Sequence, residues 1–218
     1  MTSNYCPDNV LWFPVGMKEE VQMEILLLER KRITSIRVGI SCVVFNTTQG
    51  ALWYDWLMSV LSKKFDLELC FDKYSLDQPS NSNSANNSLC ELVELFIYKY
   101  GHQFDHLELW KNPLDKFIPI TSSTNIYSDE LVFAASWAIF LNKKVKIGGV
   151  QAGDFEWLTL LIHSGVLRNV TAIRLDSEGD LWSTNTQFLA QSIRSMLKEK
   201  GFKTLVFDNA PSLSMGSV

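Results

Sequence analysis

Along the chain, short apolar runs that alternate with polar residues give way repeatedly to longer stretches with a helical period of about 3.6. Asn9 to Pro14 holds Val10, Leu11, Trp12 and Phe13 and is closed by Pro14 and Gly16, which predicts a first strand. Met17 to Arg32 is helical: Val21, Ile25 and Leu28 share one face with Leu27 beside them, and Lys18, Glu19, Glu29 and Arg30 fill the other. Ser35 to Ser41 reads as a second strand, and Gly50 ends the loop after it. Ala51 to Phe65 is a helix in which Trp53, Trp56, Leu57, Val60 and Leu61 recur at helical spacing.

The same alternation continues. Leu67 to Phe71 is a third strand, and Leu89 to Tyr100 a helix stopped by Gly101 as a C′ glycine. His106 to Trp110 is a fourth strand, ahead of a loop from Asn112 to Asn125. Ser128 is placed to cap a helix from Glu130 to Leu141, and Lys144 to Val150 is a fifth strand closed by Gly148-Gly149. Asp154 is placed to cap Phe155 to Leu167, and Val170 to Leu175 is a sixth strand. Asn185 is placed to cap Thr186 to Lys200, and Thr204 to Phe207 is a seventh strand. Two stretches fall outside the pattern: a polar, low-complexity loop at 75–88, read as flexible, and a small, polar tail at 210–218, read as frayed.

Seven strands alternating with six helices predict right-handed βαβ crossovers and a parallel sheet with helices outside, in one domain over 1–218. Alternation alone leaves an open doubly wound sheet and a barrel both standing. No G-x-G-x-x-G follows a strand, which weakens the dinucleotide-binding version, and no cofactor is expected.

Composition narrows the field. The chain has 218 residues, 46 % apolar and 20 % charged, enough for one sizeable core. A net charge of −4 with dispersed Lys and Arg excludes a phosphate-tracking surface, so no nucleic-acid partner is expected. No apolar run reaches the roughly 18 residues of a membrane span, and the start lacks a signal-peptide pattern; a cytoplasmic protein without membrane contact is expected. Cys6, Cys42, Cys70 and Cys90 lack metal-ligand spacing and read as reduced, mostly buried thiols.

The stretch with chemistry is His106 to Pro113. Leu107 and Leu109 alternate with Glu108 and Trp110, and Asn112 continues the second set. A strand that puts an acid, a tryptophan and an amide on one side and then turns at Pro113 reads as either the floor of a polar pocket or a plain buried strand.

Glu108-Leu109-Trp110-Lys111-Asn112-Pro113 resembles the E-L-W-N-E-P run of the clan A retaining glycoside hydrolases, and most closely a group of bacterial β-xylosidase-like TIM barrels. Other runs are similar in the same order. Trp12-Phe13-Pro14 resembles the opening W-F-P, and Arg37-Val38-Gly39-Ile40-Ser41-Cys42 resembles R-x-G-x-S-W. Gly50 with Trp53-Tyr54-Asp55-Trp56-Leu57 is similar to G-x-x-W-Y-D-W-L, and Cys70-Phe71 to the C-F of strand 3. Tyr100-Gly101 with Phe104 resembles Y-G-x-x-F, and Gly148-Gly149-Val150, Asp154, Trp157-Leu158 and Gly165-Val166-Leu167 resemble G-G-x, D-x-x-W-L and G-V-L. The resemblance implies a (β/α)8-barrel-like fold that is incomplete at about seven strands and six helices, an open barrel being one form of it. It also implies a carbohydrate-binding site at the C-terminal ends of the strands.

The departures fall where hydrolysis would occur. Retaining hydrolysis uses two carboxyls about 5–5.5 Å apart. The family's acid/base position holds Asn112 and its nucleophile position Asn209, with Asp208 one residue away. The strand 6 H-G-F-P is replaced by Asp176-Ser177-Glu178-Gly179, while Trp182 still matches downstream. An amide neither ionises nor delivers a proton. The expectation is therefore a pseudoenzyme: a catalytically lapsed barrel that binds a saccharide or a protein, with Arg37, Glu108, Trp110, Asn112, Asp176, Trp182 and Asn209 around the former pocket. Two alternatives stand. One is an active glycosidase with relocated carboxylates, Glu108 or Asp176 with Asp208. The other is a purely structural subunit in which Arg37 and Glu108 are a buried ion pair. The missing eighth strand predicts an open seam covered in a homo-oligomer or by a partner protein.

Overall fold

The computed structural model describes residues 10–72, 89–110, 124–150, 154–175 and 184–208. The strands are β1 (Val10–Leu11), β2 (Ser35–Ser41), β3 (Asp66–Asp72), β4 (His106–Trp110), β5 (Lys144–Val150), β6 (Ala172–Leu175) and β7 (Leu205–Asp208). The helices are α1 (Lys18–Arg30), α2 (Cys42–Phe45), α3 (Thr48–Leu61), α4 (Leu89–Tyr100), α5 (Thr124–Phe140), α6 (Phe155–Ser164) and α7 (Thr184–Glu199). The seven strands form one sheet in chain order, every pair parallel, and among the described residues β1 does not pair with β7. The fold is thus an α/β barrel-like sheet that is not closed.

Two faces of each strand divide the interior. Ile36, Val38 and Ile40 of β2, Leu67, Leu69 and Phe71 of β3, and Leu107 and Leu109 of β4 are buried in one apolar core with the helices. The residues between them, Arg37, Glu68 and Glu108 among them, face the other way, into the barrel interior. The core is richest in aromatic rings around Phe96 of α4, which meets Phe45, Phe71 and Tyr100 at centroid distances of 5.0, 5.3 and 4.6 Å.

The W-Y-D-W-L run earns its residues structurally. Trp53, Tyr54 and Leu57 are buried, and the hydroxyl oxygen of Tyr54 accepts a hydrogen bond from the Ser41 N–H at 2.9 Å, which anchors the end of β2. The Tyr100 hydroxyl donates to Asp55 at 2.8 Å and Lys99 joins it, tying α3 to α4. Trp12 lies against Gly39 of β2, where a Cβ would run into its ring.

Local chemistry corrects several expected boundaries. An additional helix, α2, follows β2 directly, started by the Ser41 side chain, which accepts from the Val44 N–H at 3.3 Å. This makes seven helices among the described residues, where six were expected. Thr47 caps α3 by accepting from the Gly50 N–H at 3.0 Å, so Gly50 belongs to the first turn of that helix and does not end a loop. It is glycine because a Cβ there would collide with the Val44 carbonyl. Gly101 does not adopt a left-handed conformation; α4 tightens instead into a 3-10 turn, Gly101–Gln103. Ser128 and Asn185 lie inside α5 and α7, which begin earlier, at Thr124 and Thr184. Asp154 precedes α6 without a side-chain cap bond, and α6 ends sooner than expected, at Gly165 with φ +82°, before a second 3-10 turn. The first strand shortens to two residues. Loop 75–88 and tail 210–218 lie outside the described residues.

Candidate functional site

Arg37 stands at the third position of β2 and Glu108 at the third of β4, both on the inward face. The Arg37 Nη2 donates to Glu108 Oε2 at 2.6 Å, and the pair is buried. Three further charges join it. Arg37 Nε lies 3.4 Å from Glu68 Oε1 of β3, and Lys146 Nζ of β5 bonds the other Glu68 oxygen. From β6, Arg174 Nε lies 3.5 Å from Glu108 Oε2, and its guanidinium stands 5.8 Å from the ring centroid of Phe207 on β7. Five charges from five consecutive strands therefore fill the interior where barrels of this kind usually stack apolar side chains.

The network shifts its members in opposite directions. Burial pushes the Glu108 carboxyl up, with Glu68 adding to the shift and Arg37 and Arg174 opposing it. Burial also acts on Glu68, but Lys146 and Arg37 outweigh it and hold that carboxyl below its ordinary value. Burial works against the Arg37 charge, and Cys70, Glu108 and Glu68 more than offset it, so the guanidinium stays charged. Two carboxyls pushed apart are the pattern of an acid and a base. Here the carboxyl that is pushed up, Glu108, has 0 % exposure.

Glu68, Cys70 and Glu108 also offer donor atoms within 4.8 Å of one another. Arg37, Lys146 and Arg174 already neutralise those carboxylates, and burial pushes the Cys70 thiol up, away from the thiolate a metal would need. The donor set is matched to its own cations. Cys42, Cys70 and Cys90 are buried and, among the described residues, joined in no disulfide; Cys6 lies outside the described residues.

Of the residues expected around the pocket, Arg37, Glu108 and Trp110 come together on neighbouring inward positions. Trp110 exposes only 7 % of its surface, which leaves little ring face for a sugar. Asn112, Asp176, Trp182 and Asn209 lie outside the described residues. Asp208 is described as the last residue of β7, in register with Leu175.

Sequence reasoning missed Glu68, Lys146 and Arg174. Each is a lone charge between apolar neighbours in a strand: Leu67-Glu68-Leu69, Val145-Lys146-Ile147 and Ile173-Arg174-Leu175. That pattern, repeated on three strands in phase with Arg37 and Glu108, was the available signal.

A cavity of about 730 Å3 opens at the other end of the strands, their N-terminal ends. Ser35, Glu68, His106, Lys146, Leu205 and Phe207 are among its lining. Among the described residues no helix is long and apolar enough to cross a membrane. The chain matches no protein-family model, and no curated protein matches it.

Proposed function

We propose that the chain is a catalytically lapsed, glycosidase-like barrel that works as a protein-interaction module through the open side of its sheet. The observation that carries this reading is at β7. Leu205 and Phe207 face inward, yet they are 59 % and 41 % exposed, because among the described residues no strand pairs with the outer edge of β7. A second copy of the chain is the partner proposed: its apolar side chains would cover Leu205 and Phe207, and its main chain would pair with the β7 edge.

The interior network supports the lapse. Glu68 and Glu108 are each held by cations, and Glu108 is sealed from solvent, so neither is available as a nucleophile or proton donor to a glycosidic oxygen. The buried Trp110 favours a protein partner over a saccharide.

Two measurements test this. A panel of nitrophenyl xyloside, glucoside, arabinoside and galactoside should give no turnover; turnover abolished by Glu108→Gln would restore the glycosidase reading. Sedimentation velocity over a wide concentration range should detect association that disappears in Leu205→Asp, Phe207→Asp. A monomer at all concentrations would overturn the self-pairing.

A further inference from the structure

Two helix surfaces away from β7 play no part in that reading. The first is the outer groove between α4 and α5, which pack side by side. From Leu131 to Phe140, α5 carries no charged residue. Ala134, Ala135 and Ala138 turn to the core, while Phe133 and Phe140 are exposed and Trp137 stacks on Phe140 with centroids 5.2 Å apart. Tyr98 of α4 is 89 % exposed. A helix that is apolar on both sides is built to have a neighbour on both. Acids mark the upper end of this groove. Glu91 and Glu94 of α4 and Glu130 of α5 converge on Cys90, whose thiol is pushed up by burial first and then by these three.

The second surface is α1. Met23, Leu26 and Leu27 are exposed at i, i+3 and i+4. Arg30, Lys31 and Arg32 follow at its C-terminal end, all exposed, and Glu19 and Glu20 occupy its first turn. The two surfaces match in spacing. Arg30 stands seven residues after Met23, as Tyr98 stands seven after Glu91 and Trp137 seven after Glu130. Seven residues of helix span roughly 10 Å in each case. Laid antiparallel in the groove, α1 brings Arg30 beside Glu91 and Glu94, and Met23 beside Tyr98 and Trp137. Its acidic first turn then falls near Lys99, in the last turn of α4, which also meets Asp55. The helix dipoles oppose one another in the same arrangement. Laid parallel, α1 would set acid on acid, so the fit has a direction.

We propose that α1 of one copy docks antiparallel in the α4–α5 groove of another. Helix and groove are different surfaces, so the contact is heterologous and joins copies head to tail. It rests on the pairing at β7: a pair presents two α1 helices and two grooves, and the contacts reinforce one another, whereas a lone copy holds its neighbour through one weak contact.

The test is sedimentation velocity on the full chain at low salt. As concentration rises the native protein should pass from the β7 pair to larger species, and added salt should move that second step to higher concentration. Arg30→Glu and Glu94→Arg, both at exposed positions, should each leave the pair intact and raise the concentration of the second step at least about fivefold. Phe133→Ser, also exposed, should act in the same direction. Mixing Arg30→Glu with Glu94→Arg should bring the larger species back, because an intact α1 then meets an intact groove. A native protein that stops at the pair overturns the head-to-tail contact and leaves the β7 pairing standing; one that stays monomeric overturns both. A second step unmoved by Arg30→Glu, or a mixture that recovers nothing, also overturns it.

Discussion

The Glu108 carboxylate lies directly against Gly148, the residue of β5 where any Cβ would collide with Glu108 Oε1. The two glycines of this run do different jobs. Gly148 makes room for a buried acid, whereas Gly149, with φ +62°, sits where the register of β5 and β6 shifts between Ile147 and Val150. The first is a packing demand and the second a backbone demand.

Gly148→Ala should therefore destabilise the protein by roughly 1–3 kcal/mol, the usual cost of overfilling a packed interior. Much of the loss should vanish in a Glu108→Ala background, where the obstacle is gone. Urea denaturation of the two single variants and the double variant gives the coupling directly. Additive losses would mean that Gly148 matters for its backbone and not for the acid beside it.

Removing one member of the central pair should cost more than removing both. Arg37→Met leaves Glu108 facing Arg174 alone, and a broken buried pair typically costs about 3–5 kcal/mol. Arg37→Met with Glu108→Leu leaves no acid stranded at that level of the barrel and should recover part of that stability. Chemical denaturation reads both; equal losses would show that the side-chain volumes, and not the charges, hold the site.

The pairing of Arg37 with Glu108 was open to sequence reasoning because both lie in strands with clean alternation, Ile36-Arg37-Val38 and Leu107-Glu108-Leu109. The order of strands was equally legible, since each change of hydrophobic period marks a crossover. Helix starts were not. Ser128 and Asn185 are good capping residues by type, yet α5 and α7 begin upstream of them, at Thr124 and Thr184. Helix α2 is too short to show a period, and its start depends on a Ser41 hydroxyl whose role only the fold defines. The cavity was illegible for another reason: it arises from residues at the starts of strands that are far apart in sequence.

Acid should weaken the fold through His106. Its pKa in the folded protein is below the ordinary 6.5, because of burial and of Lys144 and Lys146, while Glu68 and Asp105 pull the other way. The unfolded chain then binds the proton more tightly, so this residue's contribution is present above 6.5 and lost as pH falls through 6.5 towards the folded value. The urea midpoint should drop over that window in the native protein and drop less in His106→Gln. An NMR titration should find the imidazole pKa closer to 6.5 in Lys144→Gln. A midpoint drop of the same size in His106→Gln would assign the acid sensitivity to other groups.

The β7 edge is partly blocked by its own helix. Leu205 directs its N–H to Thr171 on the β6 side, so the main-chain groups of Val206 point to the open side. There the Val206 carbonyl accepts from Arg194 Nη2 of α7 at 3.0 Å. A long, exposed arginine on an edge acceptor is the kind of device that discourages unwanted strand pairing, and a true partner has to displace it. Arg194→Ala should then cost little stability, about 0.5–1.5 kcal/mol for one hydrogen bond, while strengthening association through β7. Sedimentation velocity should detect that association at lower concentrations than in the native protein, and Leu205→Asp, Phe207→Asp should abolish it in the same background. Weaker association on losing Arg194 would mean that its guanidinium is itself part of the contact, and the edge would then be reached by a partner that brings an acid to Arg194.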